Sequence, residues 1–313
     1  MDLKKIKKNV LRLWPIVFVK RVSQKIIIPG FDGLSLNEVS IFFYKGLSKG
    51  SITTQAAALS FTFFLAIFPA IIFFFTLIPY IPIDNFQDIL LNSLEGVMPK
   101  EIHDKTINTL TDIVKRQNGG LLSFGFLAAL YFSTNGTTGI MNAFNVFAHV
   151  KESRSFIKQK ATSISLVLIF STLIIIAIAL IFMGSNVILF LQKKGIFQNS
   201  FVYFALVTSK WVVSLAFIFF SVSLLYYLAP AKNIRFRFIS AGSMLATILF
   251  IITSLGFNYY ISSFSQYNKL YGSIGALIIL LTWIYFNAMV LLIGFALNIS
   301  IINAKENKRA PVF

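Results

Sequence analysis

The sequence predicts an all-α, polytopic membrane protein: six transmembrane helices, both termini in the cytoplasm, and amphipathic interfacial helices at the N-terminus and between spans one and two. Three observations predict it. Asp, Glu, Lys and Arg are absent between Lys49 and Asp84, Arg116 and Lys151, Lys160 and Lys193, Lys210 and Lys232, Arg237 and Lys269, and Lys269 and Lys305. Each run reaches the roughly 20 residues a helix needs to cross about 30 Å of hydrocarbon. The runs are also continuously apolar, not alternating, which favours helices over a barrel as the way to satisfy backbone polar groups in lipid.

The third observation is where the cations fall. Residues 1–50 hold ten Lys and Arg, 149–160 four, 229–237 three and the tail from 301 three. The alternate segments 81–119, 191–200 and 263–274 hold four, two and one. With five acids on the first side and six on the second, one side carries +15 and the other +1. An even number of crossings puts both termini together, and the positive-inside rule puts them in the cytoplasm. The net charge of +17 is therefore read as a topology signal that meets anionic lipids at the cytoplasmic face, not as a nucleic-acid surface. The composition agrees, with 57% hydrophobic and 12% charged residues.

The elements follow in order. Residues 1–50 form an N-terminal interfacial segment: Leu3 to Arg21 mixes Lys with Ile6, Val10, Leu11 and Trp14, as a helix lying on the inner leaflet does. No short apolar core with a small-residue cleavage site follows, so the first span is expected to be the insertion signal. Pro29-Gly30 breaks the pattern, and Ser35 with Glu38 has capping-box spacing before Val39, Phe42, Phe43 and Leu47. The membrane domain, 51–303, places spans at about 53–80, 120–147, 161–190, 203–229, 238–262 and 273–301, with a short tail at 304–313. Pro69 is expected to disturb span one, since it leaves a carbonyl without its helical donor. The extracytoplasmic segment 81–119 has two amphipathic stretches separated by Pro99, readable as a lid or as surface helices. Span three is nearly featureless. Tyr226-Tyr227 ahead of Ala229-Pro230 reads as an aromatic belt and a helix stop. Gly242 and Ala246 have the small-xxx-small spacing of close helix contacts.

Several of these blocks resemble the YihY/BrkB family of bacterial inner-membrane proteins. They are Ala56-Ala57-Ala58-Leu59-Ser60-Phe61 leading to Phe68-Pro69; Gly139 to Asn145 with Glu152-x-Arg154; Tyr227-Leu228-Ala229-Pro230; and Tyr271-Gly272-Ser273-Ile274-Gly275 with Trp283, Gly294 and Leu297-Asn298. The resemblance runs from about 50 to 303. It implies six spans with cytoplasmic termini in the bacterial inner membrane. It also implies envelope functions, among them export of lipid precursors and cation/proton exchange; an older ribonuclease label has moved to an unrelated soluble enzyme. Pro69, Arg154, Pro230, Gly272, Gly275, Trp283 and Gly294 are its motif positions. Many relatives carry a Glu two residues before the last asparagine, where this chain has Ala296, so no role passes from that carboxylate.

Chemistry is sparse. There is no cysteine, and the two histidines, His103 and His149, fall on opposite sides in this topology, so no metal site or cofactor is expected. Hydrolysis needs clustered ligands or an acid/base pair, and neither is visible, so no enzyme activity is expected. Carboxylate-based proton antiport wants an acid within a span, and the six runs hold none. Substrate-path candidates are instead Asn135, Asn142, Asn145, Asn258 and Asn298, with Tyr271 at a turn and Lys210, which either sits inside span four or snorkels to the headgroups. Asn287 is a further polar residue in a span. Asn135 and Asn142 lie seven apart and share a helix face. The function expected is handling of an envelope lipid through a neutral cavity bordered by spans one, two, five and six. An ion exchanger and a non-transporting scaffold are the alternatives. Membrane lipids are the expected partners; a second copy of the chain or other envelope proteins remain open.

Overall fold

The computed structural model describes residues 21–28, 30–49, 52–80, 111, 116–193, 200–231, 238–263 and 273–309. The helix expected before Arg21, most of the 81–119 segment, and both Tyr271 and Gly272 lie outside them. Seven helices are described: α1 (Leu36–Lys49), α2 (Ile52–Leu77, extended by a 3-10 turn at Ile78–Tyr80), α3 (Gly119–Phe147), α4 (Phe156–Lys193), α5 (Ser200–Leu228), α6 (Ala241–Ser263) and α7 (Ser273–Arg309). No β-strand occurs among the described residues; Ile27 and Ser35 form a single bridge.

Among the described residues five stretches are long and apolar enough to cross a membrane: Ile52–Tyr80, Phe156–Ala177, Trp211–Leu228, Ala241–Ile261 and Leu277–Lys308. The sequence led us to expect six. The one that falls short is α3, because Ser133 to Gly139, Asn142 and Asn145 dilute its apolar residues, although it carries no charge over its 29 residues. Two helices begin or end beyond the expected spans. α4 starts at Phe156, so Lys158 and Lys160 belong to its first turns instead of to a loop. α7 runs on to Arg309.

From α2 to α7 each helix packs on the next, and α7 returns to α2, closing a ring that α7 and α3 also bridge. The ring is filled by Phe144 of α3, Tyr226 of α5 and Phe295 of α7, all buried. Phe144 and Phe295 stack with centroids 4.0 Å apart, and Tyr226 meets each edge-on at 5.6 Å. The Tyr226 hydroxyl donates to the Leu291 carbonyl at 2.7 Å. This corrects the reading of Tyr226-Tyr227 as an aromatic belt. Successive residues point about 100° apart round a helix, so only one faces out: Tyr227 is 56% exposed and Tyr226 1%.

Burial is concentrated at one end. Apart from single residues such as Gly125, Phe257 and Gly275, the buried positions of α3, α5, α6 and α7 lie in 134–147, 222–230, 241–247 and 288–304. The described cations Lys45, Lys151, Arg154, Lys158, Lys160, Lys305 and Lys308 gather at this end, which we call the basic half. The tightest contact is the α6–α7 crossing. A Cβ on Gly242 would fall on the Gly294 carbonyl oxygen, and one on Gly294 would come within 2.6 Å of the Gly242 carbonyl and 2.7 Å of Ala246. The small-xxx-small pair of α6 thus lets two backbones touch.

α1 begins with the expected capping box. The Ser35 amide donates to Glu38 Oε2 at 2.8 Å, and the Glu38 amide donates to Ser35 Oγ at 3.3 Å. Its apolar side is not left to the lipid. Val39, with Phe31 and Leu34 before it, packs on Ala241, Leu297, Ile301 and Ala304. The ion pairs Asp32–Lys305 and Glu38–Lys308 fasten the segment to the end of α7.

Candidate functional site

The asparagines of the spans divide into two kinds. Asn145 is 4% exposed and works as a clasp. Its amide donates to Glu152 Oε2 at 2.9 Å, and its carbonyl oxygen accepts from the Ala231 amide at 2.9 Å. Glu152 also accepts from Arg154 Nε at 2.8 Å and Nη2 at 2.9 Å, and Nη2 donates in addition to the Ala229 carbonyl at 2.9 Å. The end of α3, the link to α4 and the end of α5 at buried Pro230 are tied together by these bonds. The guanidinium of Arg154, then its amide and charge, with help from Asn145, hold the Glu152 carboxyl below its ordinary 4.5 against a smaller opposing effect of burial.

Asn298, 3% exposed, is an anchor of the same sort. Its carbonyl oxygen accepts from the Gly242 amide at 2.8 Å and its amide donates to Ser240 Oγ at 2.9 Å, capping the start of α6 beside the Gly242–Gly294 crossing. Asn287 donates to the Trp283 carbonyl one turn back at 2.7 Å, and the Trp283 ring packs on Phe257 with centroids 4.8 Å apart. Asn145 and Asn298, named above as path candidates, therefore have both ends of their amides occupied. At the crossing of α6 and α7 the backbones touch, so no cavity runs between these two helices there; a cavity of about 190 Å³ at the same end lies instead against Phe147 of α3, Lys45 of α1 and Ala296 of α7.

Asn135 and Asn142 behave differently. They lie on the face of α3 turned away from the ring, Asn142 exposed and Asn135 half-buried. Gln159 Nε2 donates to Asn142 Oδ1 at 3.2 Å, and Lys160 Nζ donates to Asn135 Oδ1 at 3.0 Å. The register of α3 against α4 gives the depth of that ammonium. Thr138 meets Ser163 at 2.9 Å and Asn142 meets Gln159, so the Lys160 backbone stands level with residues near 141. Asn135 lies six residues further from the basic end, roughly 9 Å along the helix. A lysine in a span ordinarily snorkels toward the headgroups; Lys160 reaches the other way. Asn135 itself is twelve residues, about 18 Å, from the end of α3.

The seam behind these pairs is polar as well. Thr137 Oγ1 donates to the Ser163 carbonyl at 3.3 Å, and Ser163, 0% exposed, donates to the Gln159 carbonyl at 3.1 Å. α4 was read as featureless; its first three turns are not. Lys160 is the functional candidate that sequence reasoning missed, having been counted only as a topology charge. The signal was present: a cation within the third apolar segment facing two asparagines spaced a heptad apart.

The remaining candidates are scattered. Asn258 is exposed near the far end of α6. Lys210 falls within α5 just before Trp211–Leu228, and its side chain lies outside the described residues. Gly275 is buried in the first turn of α7, and Pro69 sits half-buried inside α2, where Leu65 lacks a proline N–H to accept. Among the described residues no three His, Asp or Glu side chains stand close enough to share a metal.

Apolar helices packed in a ring define a helical multi-pass membrane protein. The chain belongs to the virulence factor BrkB family, whose profile matches residues 43–312. It is similar to the "Putative ribonuclease-like protein YfkH" of Bacillus subtilis (strain 168), 33% identical over 249 residues that cover 78% of this chain and 88% of the relative. It is also similar to the "UPF0761 membrane protein NTHI0384" of Haemophilus influenzae (strain 86-028NP), 24% identical over 274 residues covering 83% and 94%. No solved structure matches the chain.

Proposed function

We propose that this chain is a six-crossing protein of the bacterial inner membrane that moves or handles an envelope lipid, with α3 as the sixth crossing. The observation that carries this reading is the outward polar strip of Asn142–Gln159 and Asn135–Lys160. Polar groups facing hydrocarbon are costly and take partners wherever they can. A strip that descends from the basic end to mid-depth, and ends on an ammonium, suits a headgroup travelling along a helix face while its acyl chains stay in the bilayer. It is a lateral track, not the enclosed cavity the sequence suggested. α3 is uncharged, long enough to cross, and packed between α2 and α4, which supports counting it as a span. An even number of crossings and the basic excess at one end support termini in the cytoplasm.

The test is reconstitution of the full chain in vesicles holding phosphatidylglycerol with a fluorescent headgroup. The expected result is that a membrane-impermeant quencher reaches both leaflets, and that Asn135→Leu and Lys160→Gln slow the exchange. Inserted protein that leaves the inner leaflet protected would overturn the reading. Proton flux driven by a cation gradient without lipid movement would put an exchanger in its place, and inactivity in both assays a scaffold.

A further inference from the structure

On the opposite side of α4 lies a second feature. Residues 158 and 160 point about 200° apart round the helix, so Lys158 faces away from the Lys160 strip. It heads a groove of about 510 Å³ between α4 and α5, lined by Arg154, Lys158, Thr162, Ser165, Ile169 and Leu228 among others. The volume is within the roughly 300–1,000 Å³ of small-ligand clefts. Nearly all of its lining comes from the start of α4, closed by Leu228 at the end of α5. Phe156–Ala177 and Trp211–Leu228 are both long and apolar enough to cross a membrane, so a groove along them opens toward lipid.

The order of residues down the groove matches the order of groups in a lipid. Arg154 and Lys158 come first, Thr162 and Ser165 next, and Leu166 and Ile169 last. From Lys158 to Ile169 is eleven residues, about 16 Å, which is half of a bilayer core about 30 Å thick. Arg154 is already committed to Glu152 and the Ala229 carbonyl. Lys158 is exposed and makes no ion pair among the described residues, and the Thr162 hydroxyl donates to the Lys158 carbonyl at 2.8 Å instead of reaching into the groove. An exposed cation at the mouth, the depth of one leaflet and the apolar floor share one complement.

We infer that the α4–α5 groove is a binding site for a single anionic phospholipid of the basic-side leaflet, its phosphate at Lys158 and Arg154 and one acyl chain lying along Ser165 and Ile169. Basic pockets between transmembrane helices recognise anionic headgroups in this way. The site is separate from the Asn135–Lys160 strip and rests only on membrane insertion. It holds whether or not the strip moves lipid.

Full-length protein is placed in nanodiscs containing phosphatidylglycerol and phosphatidylcholine with identical acyl chains, and the lipid retained after mild detergent extraction is counted by native mass spectrometry. The expected result is one retained phosphatidylglycerol per chain. Lys158→Gln should lower that retention about fivefold, the effect of one cation near a membrane surface, with phosphatidylcholine retention unchanged. Ser165→Phe, which fills the groove from an exposed position, should lower it as well while the thermal unfolding midpoint stays put. Equal retention of the two lipids, or retention indifferent to both substitutions, would overturn the assignment. So would displacement of the bound lipid by soluble glycerol phosphate, since that would mark a site for free anions.

Discussion

The two ends of α6 are built from the same kinds of residue and do opposite things. At its start, Gly242 leaves no room for a Cβ, Ser243 and Ala246 are fully buried, and Asn298 caps the helix. Fourteen residues on, Gly256 would meet nothing within 4 Å, and its neighbours Leu255 and Tyr259 are exposed. The contrast runs through the described bundle. At the basic half, helix ends are clasped by charged hydrogen bonds and aromatic rings fill the ring; toward Tyr80 and Gly119 the described helices bury few side chains. The lipid movement proposed above would need such a division, with one end fixed and the rest adaptable. Regions with few buried contacts open most easily.

The largest effect should come from the same substitution made at these two ends. Gly242→Ala puts a Cβ onto a backbone oxygen that cannot rotate away, and should cost about 3 kcal/mol or more, or prevent folding. Gly256→Ala should change stability by less than about 1 kcal/mol, in the favourable direction expected of Gly→Ala in a helix. Thermal unfolding in detergent measures both. Equal effects would remove the distinction between the halves. Next in size is the clasp. Asn145→Ala strands the Ala231 amide and takes a donor from Glu152, and Arg154→Gln leaves Glu152 without its counter-charge; each should lose about 1–3 kcal/mol. The outward strip should respond in the reverse sense. Asn142→Leu exchanges an exposed amide for an apolar group, so stability should hold within about 0.5 kcal/mol while lipid movement falls.

These differences also mark what was legible beforehand. Runs free of charge locate α2 through α7, because hydrocarbon tolerates so few ions that their absence is itself a length measurement. The capping box at Ser35 and Glu38 and the small-residue pair in α6 were readable for a similar reason, since each is a local geometric demand. The asparagines were not. Asn142, Asn145 and Asn298 look alike in the sequence, and what separates them is a partner 86 residues away for Asn145 and 56 for Asn298, against the half-buried Gln159 only 17 residues off for Asn142. Tyr226 was misjudged on the same account, its partner being 65 residues off. The hydropathy of α3 fell because its polar residues serve helix contacts, and composition cannot tell a contact from a water-facing side.

The smallest effect, and the one most specific to the basic half, is its response to acid. Glu152 is held below its ordinary 4.5 first by the Arg154 guanidinium, and Glu38 first by the Ser35 amide, with Lys308 adding to it. A carboxyl whose value is depressed in the folded chain contributes stability that is fully present above the unfolded value. That contribution is lost as pH falls through the lower folded value. The unfolding midpoint should therefore be level from about pH 7 down to about pH 5 and decline below about pH 4.5. Glu38 is half-exposed and screened by water, so most of the decline belongs to Glu152. Glu152→Gln should begin with a lower midpoint and flatten most of the decline. Hydrogen exchange read residue by residue adds the spatial check: acid should speed exchange at 145–154 and 229–231 by a larger factor than in α6 beyond Phe250, which opens easily at every pH and where no described carboxylate stands. A uniform loss of protection along the helices would mean that the clasp does not hold the basic half by itself.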